Sequence, residues 1–251
     1  MNLKIRLLAI FLLLQVSGNT QQTGKQITHQ SLYWIAYFNT LDFGKHWFLT
    51  TEIQERRFIE PHEQHQLVTR SHLHYRLGAG WDVAAGFTYF LQSPNDPYSA
   101  TRLVVPELRP HIEFNYKQNA GRILINHRYK AEWRFFHNTS NDELIDGYWN
   151  YFRFRYRLGI DFILIKDKNE KGGLKLRLND EVHVNAGSGI VRNTFDQNRM
   201  YVGLNYQLLK SISVELGYLN WYQQRTSGNQ FYDRDIIRFA LQHKINLGKK
   251  Q

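Results

Sequence analysis

Along most of this chain apolar and polar residues alternate with a period of two, and turn-forming residues interrupt the alternation at intervals. Trp47, Leu49, Thr51 and Ile53 share one face, with Glu52, Gln54 and Arg56 between them. Leu67, Thr69, Ser71, Leu73, Tyr75 and Leu77 alternate with Arg70, His72, His74 and Arg76. Trp81, Val83, Ala85, Phe87, Tyr89 and Leu91 form a further apolar row, and Ile112, Phe114 and Tyr116 oppose Arg109, His111 and Glu113. Later segments are sharper. Tyr129, Ala131, Trp133 and Phe135 oppose Arg128, Lys130, Glu132 and Arg134, while Phe152, Phe154, Tyr156 and Leu158 oppose Arg153, Arg155 and Arg157. Leu176, Leu178, Val182 and Val184 oppose Arg177, Asn179, Glu181 and His183, and Met200, Val202 and Leu204 oppose Arg199 and Asn205. A helix would mix arginine into every apolar stripe, because its faces repeat at i, i+3 and i+4. The pattern therefore predicts strands.

Counting Leu32 to Thr40 as the first, eleven such segments follow one another, many of them ten or more residues long. Soluble strands usually run about five or six residues, whereas a tilted strand needs roughly 9–11 to cross a bilayer. The connections alternate in length. Asp42 to Lys45, Gly78 to Gly80, Gln118 to Gly121, Asp167 to Gly173 and Leu209-Lys210 are short. Phe58 to Gln64, Gln92 to Arg102, Asn138 to Gly147, Ala186 to Asn198 and Gln223 to Arg234 are longer. Short turns at one end and long loops at the other mark outer-membrane barrels. The expected fold is all-β, an antiparallel up-and-down transmembrane β-barrel of about twelve strands, or ten if two segments merge. Even strand numbers are the bacterial rule, so Gln21 to Gln30 is expected to supply a twelfth element, either as a strand or as a segment threading the lumen.

Alternation alone does not say which face meets lipid. Arginine at the mid-plane of a membrane costs roughly 2–4 kcal/mol, so in a membrane barrel the charged rows turn inward. In a secreted soluble barrel that binds an apolar ligand, the apolar rows would turn inward instead. Strand length, loop asymmetry and an export signal favour the membrane. That signal occupies residues 1–18: Lys4 and Arg6, the apolar run Leu7 to Leu14, and the cleavage site Val16-Ser17-Gly18. Residues 19–251 then form a single barrel domain, placed in the outer membrane. Trp34, Trp47, Trp81, Tyr89, Trp133, Phe135, Tyr148 and Trp149 are expected to form interfacial girdles.

The composition agrees, with 15% aromatic residues beside 22% charged ones. With no cysteine, disulfides, thiolate metal sites and a lipoprotein anchor are excluded. The formal charge of +10 admits anionic solutes or an anionic membrane surface; no nucleic-acid-binding motif accompanies it. The expected partners are outer-membrane lipid, small anionic solutes and the barrel-assembly machinery during insertion, with no nucleic acid and no cofactor.

Particular residues in the second half carry a family resemblance. Asn179-Asp180-Glu181 ends one strand and Phe195-Asp196-Gln197-Asn198-Arg199 opens the next. Gly203, Tyr206, Glu215, Gly217 and Tyr218 follow, and Arg153, Arg155 and Arg157 precede them. In these the chain resembles domain-of-unknown-function family 2490, exported proteins found largely in Bacteroidota-type bacteria. The resemblance implies an outer-membrane β-barrel of unassigned activity and carries over no catalytic residues.

The leading candidate site is a lumen charge network of Arg70, Arg128, Glu132, Arg134, Arg153, Arg155, Arg157, Arg177, Glu181, Arg199 and Glu215. Interdigitated ion pairs of this kind fill a narrow barrel. Arginine in excess would bias a pore towards anions. His72-x-His74 has metal-ligand spacing on one strand face, with His111 and His183 on the same side; ion-paired histidines are the simpler reading and no metal is expected. Ser188 in Gly187-Ser188-Gly189, near His183, lacks the glycine two residues earlier that a nucleophile elbow needs. The expected function is non-enzymatic, a narrow anion-preferring channel or a structural barrel. The alternative is a lipid-modifying enzyme, which would require Ser188 to meet a histidine.

Overall fold

The period-two rows fold as strands because β-branched and aromatic side chains pack well on a pleated surface when one face is covered. In the computed structural model, which describes residues 24–166 and 172–248, eleven strands are present among the described residues. They are β1 (Gln26–Asp42), β2 (Trp47–Phe58), β3 (Gln64–Gly78), β4 (Trp81–Gln92), β5 (Val105–Ala120), β6 (Ile123–Ser140), β7 (Glu143–Ile165), β8 (Leu174–Ala186), β9 (Phe195–Leu209), β10 (Ile212–Gln224) and β11 (Gln230–Asn246). The proposed export signal, residues 1–18, lies outside the described residues.

Each strand pairs with its sequence neighbours in antiparallel fashion, and the sheet closes on itself where β1 meets β11. That seam is parallel, running from Gln26 opposite Gln230 to Asp42 opposite Asn246. An odd number of up-and-down strands can close only in this way, since the first and last then point in the same direction. The eleven segments read from the sequence are thus the eleven strands, and the twelfth element expected from strand parity does not form a separate strand. Gln26–Gln30 instead lengthens β1, and residues 21–23 lie outside the described residues. Within the barrel wall, closure gives every described strand a partner on both sides.

Connections 43–46, 79–80, 121–122 and 210–211 gather at one end of the barrel, and 59–63, 93–104, 187–194 and 225–229 at the other. One expected loop is different. Asn138 to Gly147 is a hairpin in which Asn141 and Asp142, at φ 49° and 60°, make a two-residue turn between β6 and β7. Both central residues of a type I′ turn need positive φ, and asparagine and aspartate tolerate it. A register shift after His137 accommodates Gly147 (φ 96°), so the paired strands continue past the barrel rim. Every residue of β7 from Glu143 to Asn150 is exposed there.

The rows face as a membrane barrel requires. Phe152, Phe154 and Tyr156 are 44%, 51% and 38% exposed on the outer wall, while Arg153 and Arg155 between them are buried inside. This contradicts the soluble reading, whose apolar rows would point inward. Trp34 departs from the expected girdle: it lies inside the barrel, 3% exposed. The reason is that β1 is apolar on both faces, with Leu32, Trp34 and Ala36 inward and Tyr33, Ile35 and Tyr37 outward, so its alternation carried no facing signal. Leu32, Trp34, Phe58, Tyr201, Leu219, Trp221 and Ile236 form an apolar cluster within the lumen. This cluster lies on β9, β10, β11, β1 and β2 among inward charges of the same strands (Glu52, Arg56, Arg199, Glu215, Arg234 and Arg238), and the inward positions of β5 to β8 are mostly charged.

Two glycines set this packing. A Cβ on Gly203 or Gly217 would overlap the Tyr201 ring, lying 2.6 Å from its Cζ in either case. Tyr201 lies across the facing pair Gly203–Gly217 and donates a 2.8 Å hydrogen bond to Glu215. Gly217→Ala would also place its methyl 2.6 Å from the Val202 carbonyl, which cannot move without disturbing the ladder. Overpacking of this kind costs about 1–3 kcal/mol. A lower urea midpoint for unfolding in detergent is the expected result, and an unchanged midpoint would show that the ring has room to move.

Candidate functional site

Inward positions on β3 to β8 bring acids and bases into register across neighbouring strands, and a buried charge must be paired. Glu132 on β6 accepts from Arg153 at 2.5 and 2.7 Å and from Arg155 at 2.8 Å. Arg155 then donates two 3.0 Å bonds to Glu181, which also accepts from Arg128 at 2.6 Å. Arg153 reaches Asp196 at 3.0 Å. Nearer the long loops, Arg109 and Arg134 share Glu107, and Arg134 also donates to the Tyr151 hydroxyl at 2.5 Å. Arg177 joins Asp161 (3.0 Å) to Glu215 (2.5 Å), and Arg238 meets Glu215 at 3.2 Å. Arg70 pairs with Glu52 at 2.8 Å.

The two ends of the lumen differ. At the long-loop end Arg234 is 0% exposed, held by Gln30, Gln223 and Asn95 at 2.6–3.0 Å. Asn95 belongs to connection 93–104 and also bonds His65 at 3.2 Å, so this loop folds over the opening. Gln66–Gln92, Arg56–Gln66 and Trp221–Gln197 contacts of 2.6–2.7 Å continue the seal. At the short-turn end Lys117 and Lys244 expose 60% and 56% of their side chains. Between lies a cavity of about 700 Å³, continued towards the short turns by a second of about 510 Å³. Both are lined by Phe38, Lys117, Arg157, Arg238 and Lys244. Among the described residues, the lumen is closed towards the long loops by these contacts and bordered by exposed lysines at the short turns.

Ten cationic side chains line the larger cavity against five carboxylates. Several of the cations have no carboxylate within ion-pair distance among the described residues. Arg56 donates instead to the amide oxygens of Gln54 and Gln66 and stacks on Trp34, 3.9 Å from the ring centre. Arg199 stacks on Trp221 at 4.4 Å, and its Nε and that of Arg157 are buried without an acceptor among the described residues.

The histidines divide differently from their spacing. His74 binds Asp82 at 2.9 Å, whereas His72 lies 3.2 Å from Glu113 and 3.4 Å from His111 Nε2. His111 Nδ1 lies 3.1 Å from the Arg109 carbonyl and donates to it, so the Nε2 lone pair faces His72 Nδ1. His72, His111 and Glu113 hold their donor atoms within 4.8 Å of one another, a ligand set of the right type for zinc. Lys130 stands 3.0 Å from Glu113, however, and supplies the cation that carboxylate needs. His183 is fully buried against Gln197 at 2.7 Å, while Ser188 is exposed on connection 187–194. No Ser188–histidine hydrogen bond forms among the described residues, so that hydrolase dyad is not assembled.

All eleven residues of the expected network face the lumen. Nine are joined by ion pairs to acids or bases of the wall, and among the described residues Arg157 and Arg199 are not. Sequence reasoning missed the seal, built by Gln30, Gln66, Gln92, Asn95 and Arg234. Glutamines on inward positions of adjacent strands were its one visible sign. The residues that carry the family resemblance converge here as well. Glu181, Asp196 and Glu215 accept from lumen arginines, Gln197 bridges His183 and Trp221, and Gly203 and Gly217 cradle Tyr201.

Among solved structures, the chain is similar to one described as "NanC porin structure in rhombohedral crystal form", with a TM-score of 0.47 and 10% identity over 77% of this chain and 84% of that one. No curated protein matches it. A family model does match, over residues 32–232, and with most of its barrel inside that match the chain belongs to the family described as protein of unknown function, DUF2490.

Proposed function

We propose that this chain is an exported, non-enzymatic barrel of the outer membrane that admits small anions into a basic vestibule through its short-turn mouth. Residues 1–18 direct export, the barrel-assembly machinery inserts residues 19–251, and lipid surrounds the apolar outer wall. In outer-membrane barrels the short turns are periplasmic, so the mouth opens to the periplasm and the seal faces outward. The observation that carries the reading is the twofold excess of cations over carboxylates along the cavity. A low-dielectric wall lined by one sign of charge focuses the field and raises the local concentration of the opposite ion. The sealed long-loop end favours a solute-binding vestibule, or a channel at rest, over an open pore.

The native chain has no cysteine, so a single Thr50→Cys on the cavity wall reports access without background. A negatively charged methanethiosulfonate reagent is expected to modify it about tenfold faster than its positive homologue, and only when added on the short-turn side. Arg157→Gln in the same background lowers that ratio. Equal rates for the two reagents would remove the anion preference, and access from the long-loop side would remove the seal.

A further inference from the structure

We propose that the part of the vestibule wall formed by Trp34, Arg56 and Arg199 is a binding subsite for the oxyanion group, carboxylate or phosphate, of a small solute. This rests on the reading of the lumen as anion-admitting and assigns its ligand chemistry and position.

Two guanidinium groups share one indole here. Arg56 lies 3.9 Å and Arg199 5.5 Å from the centre of the Trp34 ring. Neither has a carboxylate within ion-pair distance among the described residues, whereas Arg70, Arg76, Arg128, Arg155 and Arg238 on the same cavity each have one. Like charges brought together in a wall shielded from water repel, and an anion between them converts that repulsion into attraction. Arg56 is itself only 2% exposed, so its charge is held in place by the two glutamines rather than by solvent.

The hydrogen-bond inventory points the same way. Trp34 is 3% exposed and its Nε1 has no acceptor among the described residues, nor has Arg199 Nε. An indole N–H and a guanidinium are donors only, so the wall can satisfy them only by gaining acceptor atoms. An oxyanion brings lone pairs and negative charge together, and charge-assisted hydrogen bonds are the strong kind. A cation or a neutral apolar ligand would leave those donors unmet. Leu219 and Tyr201 supply an apolar wall to the same cavity, whose 700 Å³ falls in the range of small-molecule sites. The matching ligand is a compact solute with one anionic end, a sugar acid or a phosphate ester in size.

The test is calorimetric titration of the full barrel in detergent at constant ionic strength, with glucuronate, inorganic phosphate, glucose and potassium chloride as separate probes. Saturable binding is expected for glucuronate or phosphate, the two arms distinguishing a carboxylate from a phosphate site, with none for glucose or chloride. Arg199→Gln is expected to weaken it about tenfold or more. Trp34→Phe, which keeps a ring and removes only the N–H, is expected to weaken it severalfold, and guards against failure of the first variant to fold. Arg225→Gln, on connection 225–229, serves as a control with unchanged affinity. Binding that survives both lumen substitutions overturns the subsite. Absence of saturable binding in the wild type also overturns it, while a retained reagent preference at Thr50→Cys would leave the anion-admitting vestibule standing. Loss of that preference would remove the vestibule reading itself.

Discussion

Glu132→Ala is expected to destabilise the folded barrel by about 3–5 kcal/mol, the cost of breaking a buried ion pair by removing one partner. Glu132 is 1% exposed and gathers Arg153, Arg155 and Lys130 around one carboxylate. Its removal leaves Lys130 to Glu113 and makes Arg155 depend on Glu181 and Arg153 on Asp196. Three cations then face one another across the space the side chain vacated. Urea unfolding in detergent, followed by tryptophan fluorescence, gives the measurement. Glu132→Gln separates the two parts of the effect, since it keeps the shape and an acceptor oxygen but loses the charge, and should fall between wild type and Ala. Glu143→Ala, at the exposed start of β7, should change little. A loss below about 1 kcal/mol for Glu132→Ala is the figure for exposed pairs, and would mean that these charges behave as solvated ones.

Why this network was legible in the sequence, and its seal was not, follows from what a period of two encodes. Alternation specifies which side of a sheet each residue faces, because a one-residue slip exchanges every side chain between faces. Arg153, Arg155 and Arg157 against Phe152, Phe154 and Tyr156 therefore gave the facing of β7 unambiguously. Where both faces are apolar the signal vanishes, as in β1, and the girdle position expected for Trp34 gives way to one inside the barrel. Alternation says nothing of height along the barrel axis. Closure of one end depends on which inward residues reach the same level from distant strands, such as Gln30, Asn95 and Arg234. Asn95 comes from a connection, where no periodicity exists to read. The parallel seam was equally hidden, since parity fixes it only once the strand count is known. The hairpin between β6 and β7 is hidden for a local reason: Asn138, Asn141, Asp142 and Gly147 have a loop's composition, and only the positive φ of Asn141 and Asp142 shows them closing a tight turn.

The outer wall makes the second large prediction. Phe154→Arg is expected to cost about 2–4 kcal/mol when the barrel is folded in lipid bilayers, the penalty for arginine near the membrane mid-plane of a barrel. Phe154 is flanked in register by Ala131 and Val184. Ile112, Phe114, Tyr129 and Val182 surround the same outer surface, a largely apolar field with no carboxylate among its lining residues to pair with a guanidinium. One residue along, Arg155 sits buried among carboxylates on the other side of the sheet, so the same side chain changes from stabilising to destabilising over a single position of the strand. Trp149→Arg is the internal comparison, since Trp149 lies on the part of β7 that projects beyond the rim, and its penalty should fall towards the roughly 0–1 kcal/mol of an interfacial site. Both variants would be unfolded with urea from vesicles and, separately, from a zwitterionic detergent. In hydrocarbon the gap between them should open, because a lipid-facing arginine at mid-height must either lose its hydration or thin the bilayer to keep it. Equal penalties at the two positions would place water against Phe154, and the apolar exterior would then need a covering other than a membrane.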